Sequence, residues 1–269
     1  MQKTMKRYVM AKIYSGPKAL TEYILTQSKA KSNKRFIILL IQGILAGMYI
    51  AIGAIGYFKV AASVNDPGLG AFLGALVFPL GIIAILLMQA ELFTSDSMVM
   101  IAVYDRRTNF SKTLRILSLI LFANLIGAVF IAELSIGAQI FNEKTLQLFF
   151  EKALHKVHMT PGELLMSSIL CNIIVSTSVC LAYSCREEIA KVVVVWLGIT
   201  VFVLSGTEHV VANMYYLFVA YFAGGNITMG QISYNLLLVA IGNFIGGGII
   251  VSGINYMLAY RDIDRHKMH

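Results

Sequence analysis

Charge is what this sequence lacks first. Asp, Glu, Lys and Arg make up 13% of its 269 residues against 58% apolar ones, and the mean hydropathy is +0.74. Soluble domains carry about 25% charged residues, and so few charges cannot coat a water-facing surface around this much apolar material. A cytosolic enzyme, a disordered tail and a secreted disulfide scaffold are excluded on that ground; a helical membrane protein with several spans is expected. Cysteine is scarce too. Cys171, Cys180 and Cys185 fall in or at the end of one apolar segment, where helical rise holds them too far apart to bridge, and no metal-ligand spacing occurs. No metal or cofactor is expected. The first 35 residues lack the apolar stretch of a signal peptide, so no cleavage is expected.

Long apolar runs are what is present. A spanning helix needs about 20 apolar residues, and six segments qualify: Phe36 to Phe58, about Ala71 to Tyr104, Leu114 to Ala138, Glu163 to Cys185, Val192 to about Gly224, and Ser233 to Tyr260. The second and fifth are too long for one straight span and are interrupted, at Glu91–Ser97 and Ser205–His209. The net charge of +8 gathers at the membrane surface instead of forming a nucleic-acid groove: nine basic residues precede residue 36. With the N-terminus inside, the inner segments hold 18 basic residues and the outer ones 4. Both termini are therefore expected in the cytoplasm of a plasma (inner) membrane protein.

The chain divides into a cytoplasmic segment 1–35, a transmembrane domain 36–260 and a short tail 261–269. Within the first segment, 15–35 reads as an amphipathic helix, with Ser15 as cap, Pro17 in the first turn and Ala19, Leu20, Tyr23, Ile24 and Gln27 as its apolar stripe. It is either an interfacial anchor or a gate under a pore mouth.

An internal repeat is legible. Asn124-Leu-Ile-Gly-Ala resembles Asn243-Phe-Ile-Gly-Gly, 119 residues on; Glu91 and Glu208 occupy matching places at an offset of 117; Gly43-Ile-Leu-Ala-Gly echoes Ser168-Ile-Leu-Cys-Asn at 125. Copies of about 36–138 and 163–260 hold three spans each, an odd number, so the second must cross the bilayer upside down. Interrupted helices at matching places in inverted copies meet near the midplane, the usual site for a solute. Glu91 and Glu208 either serve that path or merely bond the broken ends. His209 is the one histidine inside a span, with His155, His158, His266 and His269 in loops or tail. At a helix break beside a glutamate it suits a pore whose solute is a weak acid, because imidazole exchanges a proton near physiological pH. Gly43 and Gly47 carry the spacing of close helix contact.

Glu91-Leu-Phe-Thr-Ser, the Cys171-Asn172 pair, Glu208-His209-Val-Val-Ala-Asn213-Met-Tyr and Asn243-x-x-Gly together resemble the formate/nitrite transporter family over nearly the whole chain. The resemblance implies an all-α integral membrane protein of aquaporin-like fold, six helices with the second and fifth broken, in a homopentamer with one pore per protomer. It implies passage of formate, nitrite or hydrosulfide. By position, Leu92 and Phe202 resemble the cytoplasmic constriction and Phe78 the periplasmic one. Thr94 lies on the loop between them, with His209 as the central polar group. Lys156 resembles the family's outer-vestibule lysine, though it would equally suit a snorkelling loop lysine. Asn172 and Asn213 resemble groups that orient the histidine or the loop. An apolar ring penalises hydrated ions, so an anion would be drawn in, stripped of water and protonated by His209. Gly206-Thr207 stands where formate channels often carry a bulkier aromatic at the second place, which leans the reading toward hydrosulfide.

Other readings part from this one at named features. An aquaporin would carry two Asn-Pro-Ala motifs, and the four prolines (Pro17, Pro67, Pro79 and Pro161) form none. An intramembrane enzyme would need a nucleophile–base pair or metal ligands, and His209 has no histidine or cysteine at ligand spacing. A proton-coupled formate/nitrite transporter on the same fold stands as the alternative. Expected partners are a small anion, membrane lipid and copies of the chain itself, with no nucleic acid.

Overall fold

Backbone polar groups have no water to bond to inside a bilayer, so a spanning chain must pair them internally. The computed structural model describes residues 16–32 and 34–265, and these are helical with no strand among them. In chain order come α1 (Pro17–Ser32), α2 (Phe36–Ser63), α3 (Pro67–Leu87), the short α4 (Phe93–Asp96) and α5 (Met100–Tyr104), and α6 (Phe110–Gly137). Then follow α7 (Glu143–His158), α8 (Pro161–Tyr183), α9 (Glu188–Ser205), α10 (Val210–Phe222), α11 (Met229–Phe244) and α12 (Ser252–Arg265). Helices α2, α3, α6, α8, α9 and the stretch Met229–Tyr260 are long and apolar enough to cross a membrane.

Caps fix where several of these begin. Asp66 accepts from the Leu69 N–H ahead of Pro67, Asn109 and Asn142 open α6 and α7 in the same way, and Thr160 with Glu163 closes a capping box on α8. Packing then follows the repeat: α2 lies most extensively against α6, and α8 against α11. At the first crossing a Cβ on Gly127 would fall on the Ile44 carbonyl; at the second, one on Gly246 would fall on that of Ile169. The absent side chain is what lets the backbones meet.

Several expectations shift. The first interruption lies at Met88–Leu92, a turn ahead of the expected Glu91–Ser97, because Phe93–Asp96 and Ser97–Val99 close helical turns of their own. His155 and His158 sit on α7 and not in a loop: its Asn142 cap and the apolar face of Phe149 and Ala153 sustain 16 helical residues between spans three and four. The last span contains a π-helical stretch, Ile245–Val251, where three consecutive glycines let the helix widen. Carbonyls there are taken up by Tyr104 Oη on Gly248 (2.9 Å) and Ser252 Oγ on Gly247 (2.8 Å).

Helix α1 seats Leu20, Ile24 and Leu25 against Met98, Ile101, Val179 and Val251 of the bundle and packs beside α12. Its buried stripe is rotated from the expected one, leaving Tyr23 exposed, because the bundle and not a bilayer surface receives it. Ser15, the expected cap, and His266 and His269 lie outside the described residues. The side of the bundle holding α1 and α12 is the terminal end; α7 caps the far end.

Candidate functional site

Each broken helix leaves backbone groups that need partners, and one asparagine per repeat supplies them. Asn124 accepts from the Phe93 N–H (3.0 Å) and donates to the carbonyls of Glu91 (2.9 Å) and Gly43 (2.8 Å). Asn243 accepts from the Val210 N–H (2.9 Å) and donates to the carbonyls of Glu208 (2.9 Å) and Ser168 (2.7 Å). These are matching atoms in the two copies. Gln89 and Gly206, also 117 apart, take the left-handed φ values of +53° and +65° that let each chain turn out of its helix.

The two loops meet at one side-chain contact. His209 is 2% exposed and stands at the head of α10, where its Nδ1 accepts from the Ala212 N–H (3.2 Å). An Nδ1 that accepts carries no proton, so the ring is neutral with its hydrogen on Nε2. That Nε2–H donates to Thr94 Oγ1 (3.0 Å). Leu92 is the repeat mate of His209, heads α4 in the same way and is fully buried. Phe202 stacks at a tilt on the His209 ring (5.5 Å) and edge-on against Phe78 (6.1 Å). Phe202 therefore lies beside Phe78: α9 stays helical through Ser205 and carries it to the level of the Phe78–Pro79 kink.

A vestibule flanks this centre on each side. The far one, about 280 Å³, is lined by Tyr57, Lys152, His155, Lys156, Phe202 and Glu208 among others. Lys156, 7% exposed on α7, donates to Glu208 Oε1 (2.7 Å) and lies 5.5 Å from the Tyr216 ring centre. Asn213 donates to Glu208 Oε2 (2.6 Å) and to Asn235 Oδ1 (2.9 Å), and Asn235 donates to the Lys156 carbonyl (3.0 Å), which closes a ring around the pair. Burial depresses the pKa of neighbouring Lys152, with Glu208 and Glu151 opposing.

The terminal vestibule, about 420 Å³, is lined by Lys31, Lys34, Gln89, Glu91, Asp96 and Tyr183 among others. Lys31 bridges Glu91 (2.7 Å) and Asp96, and Lys34 bonds Glu91 Oε1 (2.6 Å). Burial alone would lower the Lys31 pKa, but the Asp96 and Glu91 carboxylates outweigh it and hold it above its ordinary value. Lys31 and Lys156 are 125 residues apart, the same offset as Gly43 and Ser168. Each repeat is thus preceded by a lysine bound to the glutamate of that repeat's break.

Half-helices that end on a buried polar contact between two charged vestibules define a membrane channel or transporter. The family model "Formate/nitrite transporter" matches residues 18–257. The chain is 34% identical to the uncharacterized transporter YrhG of Bacillus subtilis over 239 residues, 85% of this chain and 87% of that one. It is 31% identical to the formate channel FocA of Haemophilus influenzae over 259 residues, 87% and 91% of the two chains. A solved structure described as a pentameric formate channel with formate bound superposes with a TM-score of 0.77 at 28% identity, covering 84% of this chain and 97% of that one. The chain belongs to the formate/nitrite transporter family, a multi-pass membrane protein whose relatives are channels and transporters, not enzymes.

Of the residues singled out in the sequence, His209, Thr94, Phe202 and Phe78 come together at the centre, and Lys156, Glu208 and Asn213 at the far vestibule. Leu92 lies at the head of α4 and Glu91 at the terminal vestibule. Asn172 touches neither the histidine nor the far vestibule; it donates to the Thr94 carbonyl (3.1 Å) and the Asn243 carbonyl (2.6 Å), tying one loop to α11. The sequence reading passed over Asn124, Asn243, Lys31, Lys34, Asp96 and Asn235 as site residues. The repeat offsets point to the first three and to Asp96, the mate of Asn213; Lys34 and Asn235 carried no such signal.

Proposed function

We propose that this protein is a channel for small monovalent weak-acid anions (formate, nitrite or hydrosulfide), in the plasma membrane with both termini cytoplasmic. In this reading 36–260 is the channel domain, 1–35 and 261–269 are cytoplasmic, and five copies assemble with one pore each, as in the pentameric formate channel it resembles. The observation that carries the reading is the His209–Thr94 contact, buried between apolar rings with a lysine-bearing vestibule on either side. Lys156 and Lys31 draw the anion in, although their glutamate partners temper the field. Phe78 and Phe202 on one side and Leu92 on the other strip its water.

At the centre the anion displaces the His209–Thr94 bond and takes both donors, His209 Nε2–H and Thr94 Oγ–H. His209 acts as a neutral donor in this scheme, in place of the proton source expected from its type. Charging the ring would put a hydrogen on Nδ1 and break its bond to the Ala212 N–H. Glu208, Asn213, Asn172 and Glu91 hold the donors and lysines in place.

Proteoliposome flux of formate, nitrite and hydrosulfide, measured in parallel with no proton gradient imposed, tests the proposal. Saturable or linear flux of at least one above protein-free vesicles is expected. Preference for hydrosulfide would bear out the lean from Gly206-Thr207. Flux that appears only when a proton gradient is applied would replace the channel with a proton-coupled transporter.

A further inference from the structure

Asn124 and Asn243 bond the two breaks through matching atoms, but the groups that face the two glutamates differ. Five residues after Glu208 stands Asn213; five residues after its mate Glu91 stands Asp96, and Asp96 and Asn213 are 117 apart like the glutamates. At the far end the arrangement is satisfied by an amide, since Asn213 Nδ2–H donates to Glu208 Oε2 at 2.6 Å. At the terminal end the corresponding group is a second carboxyl, 4% exposed, which Lys31 Nζ joins to Glu91.

Asp96 Oδ2 is buried and has no partner, while Glu91 Oε2 has the Lys31 Nζ ion pair at 2.7 Å. Lys31 is committed to Asp96 Oδ1 and Lys34 to Glu91 Oε1. Two ionised carboxylates sharing Lys31, one of them with a bare buried oxygen, are costly, because a buried acceptor without a donor loses its hydration and like charges repel. One hydrogen on Asp96 Oδ2, donated to the Glu91 carboxylate, gives that oxygen a partner and stands where the Asn213 amide hydrogen stands at the far end, protonated aspartic acid and asparagine having the same shape.

We propose that Asp96 and Glu91 form a proton-binding site in the terminal vestibule, with Asp96 donating the bound proton to Glu91. The inference rests on the channel reading for its consequence but not for the proton itself. With the proton bound, Lys31, Lys34 and Glu91 sum to one positive charge, which favours anion uptake from the terminal side. When it leaves, the four groups sum to zero and Lys31 is held by two carboxylates. Tyr183 on α8, Tyr23 on α1, and Glu188 and Lys191 on α9 also face the vestibule, where Lys191 donates to Glu188 Oε1 (2.7 Å). The far vestibule, built on Asn213, has no such titration at this position.

Infrared difference spectroscopy on the full chain in lipid tests the proton directly. Wild type is expected to keep a carboxylic-acid C=O band at pH values above about 6, where ordinary carboxylates near 4 are ionised, and Asp96→Asn is expected to lack it. Glu91→Gln, which lets Asp96 ionise against Lys31, is expected to lack it as well and serves if Asp96→Asn does not fold. Absence of the band from wild type, or its survival in either variant, overturns the proposal. Flux against pH on the terminal side reads the consequence: Asp96→Asn, held in the positive state, should match wild type in acid and exceed it at least threefold at alkaline pH. A ratio that stays flat with pH overturns the role in uptake. If wild type passes none of the three anions, the channel reading fails while the infrared band still decides the proton.

Discussion

His209 is pinned from two sides, by the Ala212 N–H on Nδ1 and by Thr94 on Nε2, and the first of these does structural work as a helix cap. Asparagine caps helices at least as well, so His209→Asn separates the two functions. The variant is expected to stay within about 1 kcal/mol of wild-type stability by thermal unfolding. Its anion flux should fall about tenfold to a hundredfold, the loss of one hydrogen bond to a charged group, about 1.5–3 kcal/mol. A pH profile that keeps its shape in the variant would fit a neutral donor; a flattened one would return the proton to the imidazole. The residue type and its place beside a helix break were legible in the sequence. Its tautomer was not, because that depends on which N–H group the folded backbone aims at the ring.

Among the elements, the asparagines on α6 and α11 decide whether the broken helices can exist. Each holds one N–H and one carbonyl of a break that a bilayer would leave bare, and a further carbonyl of a neighbouring helix. In Asn124→Leu and Asn243→Leu the two groups of the break lose their partner, at about 1–3 kcal/mol per buried group. Both variants should therefore lose several kcal/mol, seen as a lower midpoint of thermal unfolding in matched detergent and lipid. The two losses should agree within about 1 kcal/mol because the bonding patterns match. An unchanged midpoint for either would mean that water enters the break and replaces the asparagine. The existence of both breaks could be read from overlong apolar runs. The register of the second was legible too, at Ser205–His209, but that of the first was not, since α4 and the turn after it are held by Asn124 and Asn172.

At the scale of the whole molecule, large apolar side chains such as Phe36, Phe122, Phe130, Met166, Leu197 and Leu237 face outward along the spans. Lipid can cover such faces, and so can neighbouring copies. The proposed pentamer should give a native mass-spectrometry peak at five times the 29.6 kDa chain mass after mild release from detergent; a peak for the single chain alone would remove it.

Composition, hydropathy and the offsets of 117, 119 and 125 were sufficient for six spans, two of them interrupted, in two copies. These features are local or periodic, and the bilayer enforces them on any chain that crosses it. What tertiary structure alone decided is pairing: Lys31 with Glu91 and Asp96, Lys156 with Glu208, Phe202 with Phe78, Asn172 with the Thr94 carbonyl. Each of these joins groups more than 45 residues apart, and a buried charge or bare carbonyl takes whichever partner the packing of other helices brings within reach. Desolvation makes having some partner compulsory; the fold chooses which one.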